Sequence, residues 1–132
     1  MKSHIQEKYE CIITEYCMGS RSINPISMVY DIMKHKEMRM HGPEHHYLTA
    51  AVIVTAYCNE KNLESKAEIL KKALFRTGAI QPGVCGFYGV CGDVQAVGAA
   101  VSIILGVTPF SGNELKVLNT ITAKCQQSIA GL

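Results

Sequence analysis

"VQAVGAAVSIILGVTPF", Val94 to Phe110, contains no charged residue, and the reading of this stretch decides the fold. It runs for seventeen residues, carries the polar Gln95, Ser102 and Thr108, and has Asp93 at its mouth. A membrane-spanning helix wants about 20 strongly apolar residues. The stretch therefore reads as a buried helix of a globular protein, from about Val90 to Val107. Its small residues, Gly98, Ala99, Ala100, Ser102 and Gly106, let neighbouring helices come close.

Working outward, the other segments are helical too. Ile5, Tyr9, Ile12 and Tyr16 recur at three- and four-residue steps, although the β-branched pair Ile12-Ile13 keeps a strand open. Asn24-Pro25 starts a helix to about Glu37, because asparagine caps orphan amides and proline fits the first helical position. That helix is expected to bury Ile26, Val29, Tyr30 and Met33. Gly42-Pro43 opens the next, to about Asn59, with Leu48, Val52 and Ala56 on the face shared with His45. Its apolar middle, "LTAAVIVTAY", predicts burial on most sides. Leu63 to Thr77 is amphipathic along Leu63, Ala67, Leu70 and Leu74, and Gly78 stops it. Ser111 with Glu114 predicts a capping box for a last helix to about Ala130, burying Leu115, Leu118, Cys125 and Ile129. The expected fold is a single all-α domain over residues 1–132, a bundle of about five to six helices around a buried, small-residue-rich central helix.

Composition agrees with a compact globule: 48% of residues are hydrophobic and 18% charged. The formal net charge of +2 is scattered, which gives no case for a nucleic-acid surface. "MKSHIQEKYECI" has no apolar region ahead of a cleavage site, so a cytoplasmic location is expected. Six cysteines in such a chain point to buried thiols, metal ligands or redox chemistry before disulfides.

The chemistry-bearing residues cluster at two helix openings. In "MHGPEHH", Met40 to His46, the spacing predicts that His41 and His46 meet across the helix start with His45 beside them. Near the positive end of a helix dipole an imidazolium is disfavoured, which leaves neutral rings able to bind a metal or accept a proton. Glu44 suits the dipole or orients a histidine. The competing reading is ordinary polar surface, and the spacing matches no standard metalloprotease motif.

In "QPGVCGFYGVCGD", Gln81 to Asp93, Cys91 is placed at a helix start, where unpaired amides stabilise a thiolate. Gly86 and Gly89 are expected to let Cys85 bend back toward it. The pair is able to clamp a metal, hold part of a cluster, or cycle between dithiol and disulfide. Against this, Cys-x5-Cys is the spacing of neither a zinc ribbon nor a thioredoxin-like site, and two small buried residues would look the same. Asp93 is either a cap or a proton acceptor, and Tyr88 either closes the pocket or donates a hydrogen bond. Cys11 and Cys17 repeat the spacing and would complete a four-thiolate site, a reading that rests on spacing alone; Cys58 and Cys125 are expected in the core.

At "MHGPEHHYLTAAVIVTAY" and "PGVCGFYGVCGDVQAVGAAVSIILGVTPF" the chain resembles a family of prokaryotic domains known mainly from anaerobic bacteria and methanogenic archaea, over roughly residues 38–131. A similar domain occurs there alone or fused to S-adenosylmethionine-dependent methyltransferase domains, without an assigned activity. The resemblance implies that His41, Gly42, Pro43, His45 and His46, with Cys85, Gly86, Gly89, Cys91 and Gly92, are motif positions. Asp93 departs from the small residue expected there. Related chains continue past the position of Leu132 into a further cysteine-bearing segment, which implies an incomplete site or ligands borrowed from a partner if that segment supplies any.

The resulting expectation is a transition metal, zinc or iron, or an iron–sulfur cluster held by His41, His45, His46, Cys85 and Cys91, with Tyr88 and Asp93 contacting a cofactor, in support of methyl transfer or redox chemistry. The alternative is a non-catalytic dimerisation or partner-binding module, working as a homodimer or with a methyltransferase-type partner. A third reading makes Cys91 a metal-free catalytic nucleophile with a histidine base.

Overall fold

Asn24 does what its position before Pro25 predicts: its Oδ1 accepts from the amides of Ile26 and Ser27 at 3.0 and 3.2 Å. Ser3 caps the preceding helix in the same way, accepting from Gln6 N at 3.2 Å. The computed structural model describes residues 3–132 and orders them as α1 (His4–Gly19), α2 (Pro25–Met33), α3 (Glu44–Lys61), α4 (Lys66–Gly78), α5 (Val84–Tyr88), α6 (Gly92–Leu105) and α7 (Asn113–Ala130). The fold is all-α, with no strand among the described residues. The helix beyond the expected five to six is α5, a single turn within the glycine-rich connection.

α3 holds the centre. Tyr47, Leu48, Ala50, Ala51, Val52, Val54, Thr55, Ala56 and Cys58 are all buried, so it is covered on most sides. α1, α2, α4 and α6 pack around it, and α7 lies on the far side of α6. Of the small residues expected to serve close approach, Ala100 is buried and a Cβ on Gly98 would sit 3.0 Å from Thr122 Cγ2 of α7, while Ala99 and Ser102 are half-buried and Gly106 is exposed; Ala96, outside that set, is buried as well. Among the described residues no helix is long and apolar enough to cross a membrane.

Several faces are rotated from their expected positions. α1 buries Glu10, Ile13 and Cys17, while Tyr9, Ile12 and Tyr16 flank the core and Ile5 is exposed. α2 buries Met28 and Ile32, leaving Ile26 and Tyr30 exposed. α4 begins at Lys66 because Asn62, at φ +54°, ends α3 in the left-handed conformation and the next three residues make the turn. Its buried stripe is Leu70, Ala73 and Thr77, with Leu63 and Ala67 exposed. The capping box does not form: Ser111 Oγ accepts from Thr108 N at 2.9 Å, closing its own turn, and Gly112 precedes the helix. α7 has no fully buried residue; Leu115, Leu118 and Cys125 are half-buried and Ile129 is exposed.

Candidate functional site where α3 and α6 begin

The opening of α3 is built around a carboxylate. Glu44 has no exposed side-chain surface, and Arg39 grips it bidentately, Nε to Oε1 at 2.7 Å and Nη2 to Oε2 at 2.8 Å. Arg39 also stacks over the Tyr9 ring, 5.0 Å from its centroid. Burial pushes the Glu44 carboxyl up, but the guanidinium outweighs it and holds the group below the usual carboxylate range. Gly42 is required because a Cβ there would run into Arg39 Nε and the Glu44 carboxylate. Pro43, at φ −65° and ψ −21°, is already helical, and α3 proper starts one residue later than Gly42-Pro43 suggests.

The three histidines separate around this pair. His41 is exposed, and among the described residues no hydrogen bond joins it to His46. His45 places Nε2 3.0 Å from the Arg39 carbonyl, which can only accept, so Nε2 carries the hydrogen. His46 turns toward α6: a Cβ on Gly92 would overlap its Nε2 and lie 2.7 and 2.9 Å from Cε1 and Cδ2. Only glycine lets the ring and the first turn of α6 approach so closely. Nδ1 of His46 is buried and among the described residues has no hydrogen-bond partner. Burial lowers the tendency of this ring to protonate, and Asp93 opposes that effect.

Thr49, one turn after His46, makes the second link between the openings, donating to Asp93 Oδ1 at 3.1 Å. Cys91 sits where expected, as the residue preceding α6; its thiol makes no capping hydrogen bond, and its amide donates to Gln126 Oε1 of α7 at 3.1 Å. Cys85 and Tyr88 lie on α5 and are exposed. The backbone reversals around α5 come at Gly83 and Gly89, at φ +88° and +74°; Gly86 is within the helix and needs no special conformation. Cys11 is exposed and Cys17 buried on different sides of α1, and Cys58 is buried while Cys125 is half-buried.

The two openings thus meet through His46 on Gly92 and Thr49 on Asp93. They do not gather a ligand cage: among the described residues there is no group of three or more His, Cys, Asp or Glu side chains placed to hold a metal ion. The Arg39–Glu44 pair was legible only as Glu44 at a helix start. The Thr49–Asp93 bond had one sequence signal, the three-residue step that puts Thr49 on the face of His46.

The motifs that build this junction fall within residues 13–132, the span that matches a family of unknown function (DUF5714). The chain belongs to that family. No curated protein and no solved structure matches the chain significantly. For this DUF5714 member the α3–α6 junction is where His46 meets Gly92 and Thr49 meets Asp93, and its chemistry has to be argued from the side chains themselves.

Proposed function

We propose that this DUF5714 member binds a transition metal, zinc or iron, or an iron–sulfur cluster at the α3–α6 junction, with His46 and Cys91 as two of its ligands. The observation that carries this reading is the His46 ring set with its Nε2 edge on Gly92, the residue after Cys91 in the chain, while its other nitrogen, Nδ1, is buried and among the described residues has no partner. A buried polar atom without a partner costs on the order of 1–3 kcal/mol, which a ligand would recover. An imidazole and a thiol together favour zinc or iron over magnesium or calcium. The exposed His41 and Cys85, or groups of a second molecule, complete the ligand set, and the bound centre supports methyl transfer or redox chemistry in a larger enzyme system.

Metal analysis of anaerobically purified protein, alongside Cys91→Ala and His46→Gln, tests this. Near-stoichiometric zinc or iron in the wild type and its loss from both variants is expected. Sub-stoichiometric metal in the wild type, or loading unchanged by either substitution, would sink the idea.

The second reading, a non-catalytic dimerisation or partner-binding module, is favoured by the large apolar side chains left in water. Phe75 is 83% and Phe110 97% exposed. Two glycines of α6 are covered from within the chain, Gly92 by His46 of α3 and Gly98 by Thr122 of α7, so a partner would not pack on either of them.

A further inference from the structure

α1 and α4 border a groove of about 370 Å³ lined by Glu7, Glu10, Cys11, Thr14, Glu15 and Leu74. Glu7 and Glu15 put two exposed carboxylates on it, and among the described residues its lining includes no cationic side chain. The residue after Leu74 is Phe75, 83% exposed, standing among Glu68, Lys71, Lys72 and Arg76. Successive helical residues are separated by about 100° around the axis, so acidic groove and basic, aromatic knob lie on adjacent faces of α4.

We infer that two copies of this chain associate through the α1–α4 face, Phe75 of each copy entering the acidic groove of the other. A two-fold axis beside α4 makes both contacts at once, because groove and knob are neighbours on the same chain. Lys71 and Lys72 then face Glu7 and Glu15 of the other copy. The internal pairs they would give up are weak: Lys71–Glu68 spans 3.8 Å with both side chains more than 70% exposed, and among the described residues Glu7 meets the exposed His4 at 3.7 Å. Arg76 stays with its own chain, donating to Ser102 Oγ at 2.8 Å. Glu10, at 7% exposure, forms wall and not contact. An aromatic anchor in a pocket ringed by complementary charge is the arrangement that concentrates binding energy at interfaces.

The experiment is sedimentation equilibrium of the full chain over a range of concentrations, at low and high salt. A dimer that weakens with salt is expected. Phe75→Glu should give a monomer with unchanged circular dichroism and thermal unfolding, since the side chain is exposed. Lys71→Glu with Lys72→Glu should be monomeric, as should Glu7→Lys with Glu15→Lys, and mixing those two variants should restore a one-to-one dimer. Alkylation of Cys11, followed on its peptide by mass spectrometry, should slow with concentration in the wild type only. A monomeric wild type, a dimer indifferent to Phe75→Glu, or charge variants that fail to rescue each other overturns the assignment, as does binding of a basic helical peptide to a chain that stays monomeric.

Discussion

At Glu44 a carboxylate with no exposed surface depends on one guanidinium, and this sets the sharpest expectations for single residues. Arg39→Ala leaves the charge buried and alone, and should cost about 2–3 kcal/mol, less than a fully buried pair would because the Arg39 side chain is 42% exposed. Chemical denaturation measures it. Since the Glu44 carboxyl titrates below its usual range when folded, the pair stabilises the metal-free protein fully above the unfolded value of about 4.3, and that stabilisation is lost as pH falls through the lower folded value. Denaturation midpoints taken across acidic pH should therefore fall less steeply in Glu44→Gln than in the wild type. Gly92→Ala pushes a methyl into the His46 ring and should cost about 1–3 kcal/mol, whereas Gly86→Ala, with nothing within 4 Å of its Cβ, should be neutral or slightly stabilising. The histidine and cysteine motifs were legible as residue types at helix starts. Which histidine faces α6 was not, because that depends on a glycine 46 positions away in the chain.

Helices were legible as elements, and their buried faces only approximately. In α2 the apolar residues Ile26, Met28, Val29, Tyr30, Ile32 and Met33 nearly encircle the helix, so periodicity cannot choose the inner side. The neighbours choose it: Met28 and Ile32 meet the core and Ile26 and Tyr30 face water, each 67% exposed. Met28→Ala should accordingly cost about 2–5 kcal/mol and Ile26→Ser less than about 0.5 kcal/mol, as read from denaturant midpoints; the reverse order would place the helix wrongly. The failed capping box has a similar cause, since Ser111 has one side chain and the Thr108 turn uses it first. α7 has no fully buried residue and should be the least protected helix. Hydrogen exchange should show its amides exchanging well before those of α3.

Across the whole molecule, stability should concentrate where α1, α4 and α6 close on α3. Ile13→Ala and Leu70→Ala remove side chains 0% and 1% exposed, and each should lower unfolding free energy by about 2–5 kcal/mol in one cooperative transition. Separate transitions for α1 and α4 would contradict a shared core. The sequence by itself determined the helical class, the starts marked by Asn24-Pro25 and Gly42-Pro43, and the burial of α3 and of the small-residue face of α6, because caps, proline and apolar runs act within a few residues. Only the tertiary structure decided that α3 and not α6 is central, that Arg39 holds Glu44, and that His46 lies on Gly92 with Thr49 on Asp93. Those pairings join residues whose separation along the chain carries no periodic signal, and their energy comes from excluding water between surfaces that exist only once the helices have packed.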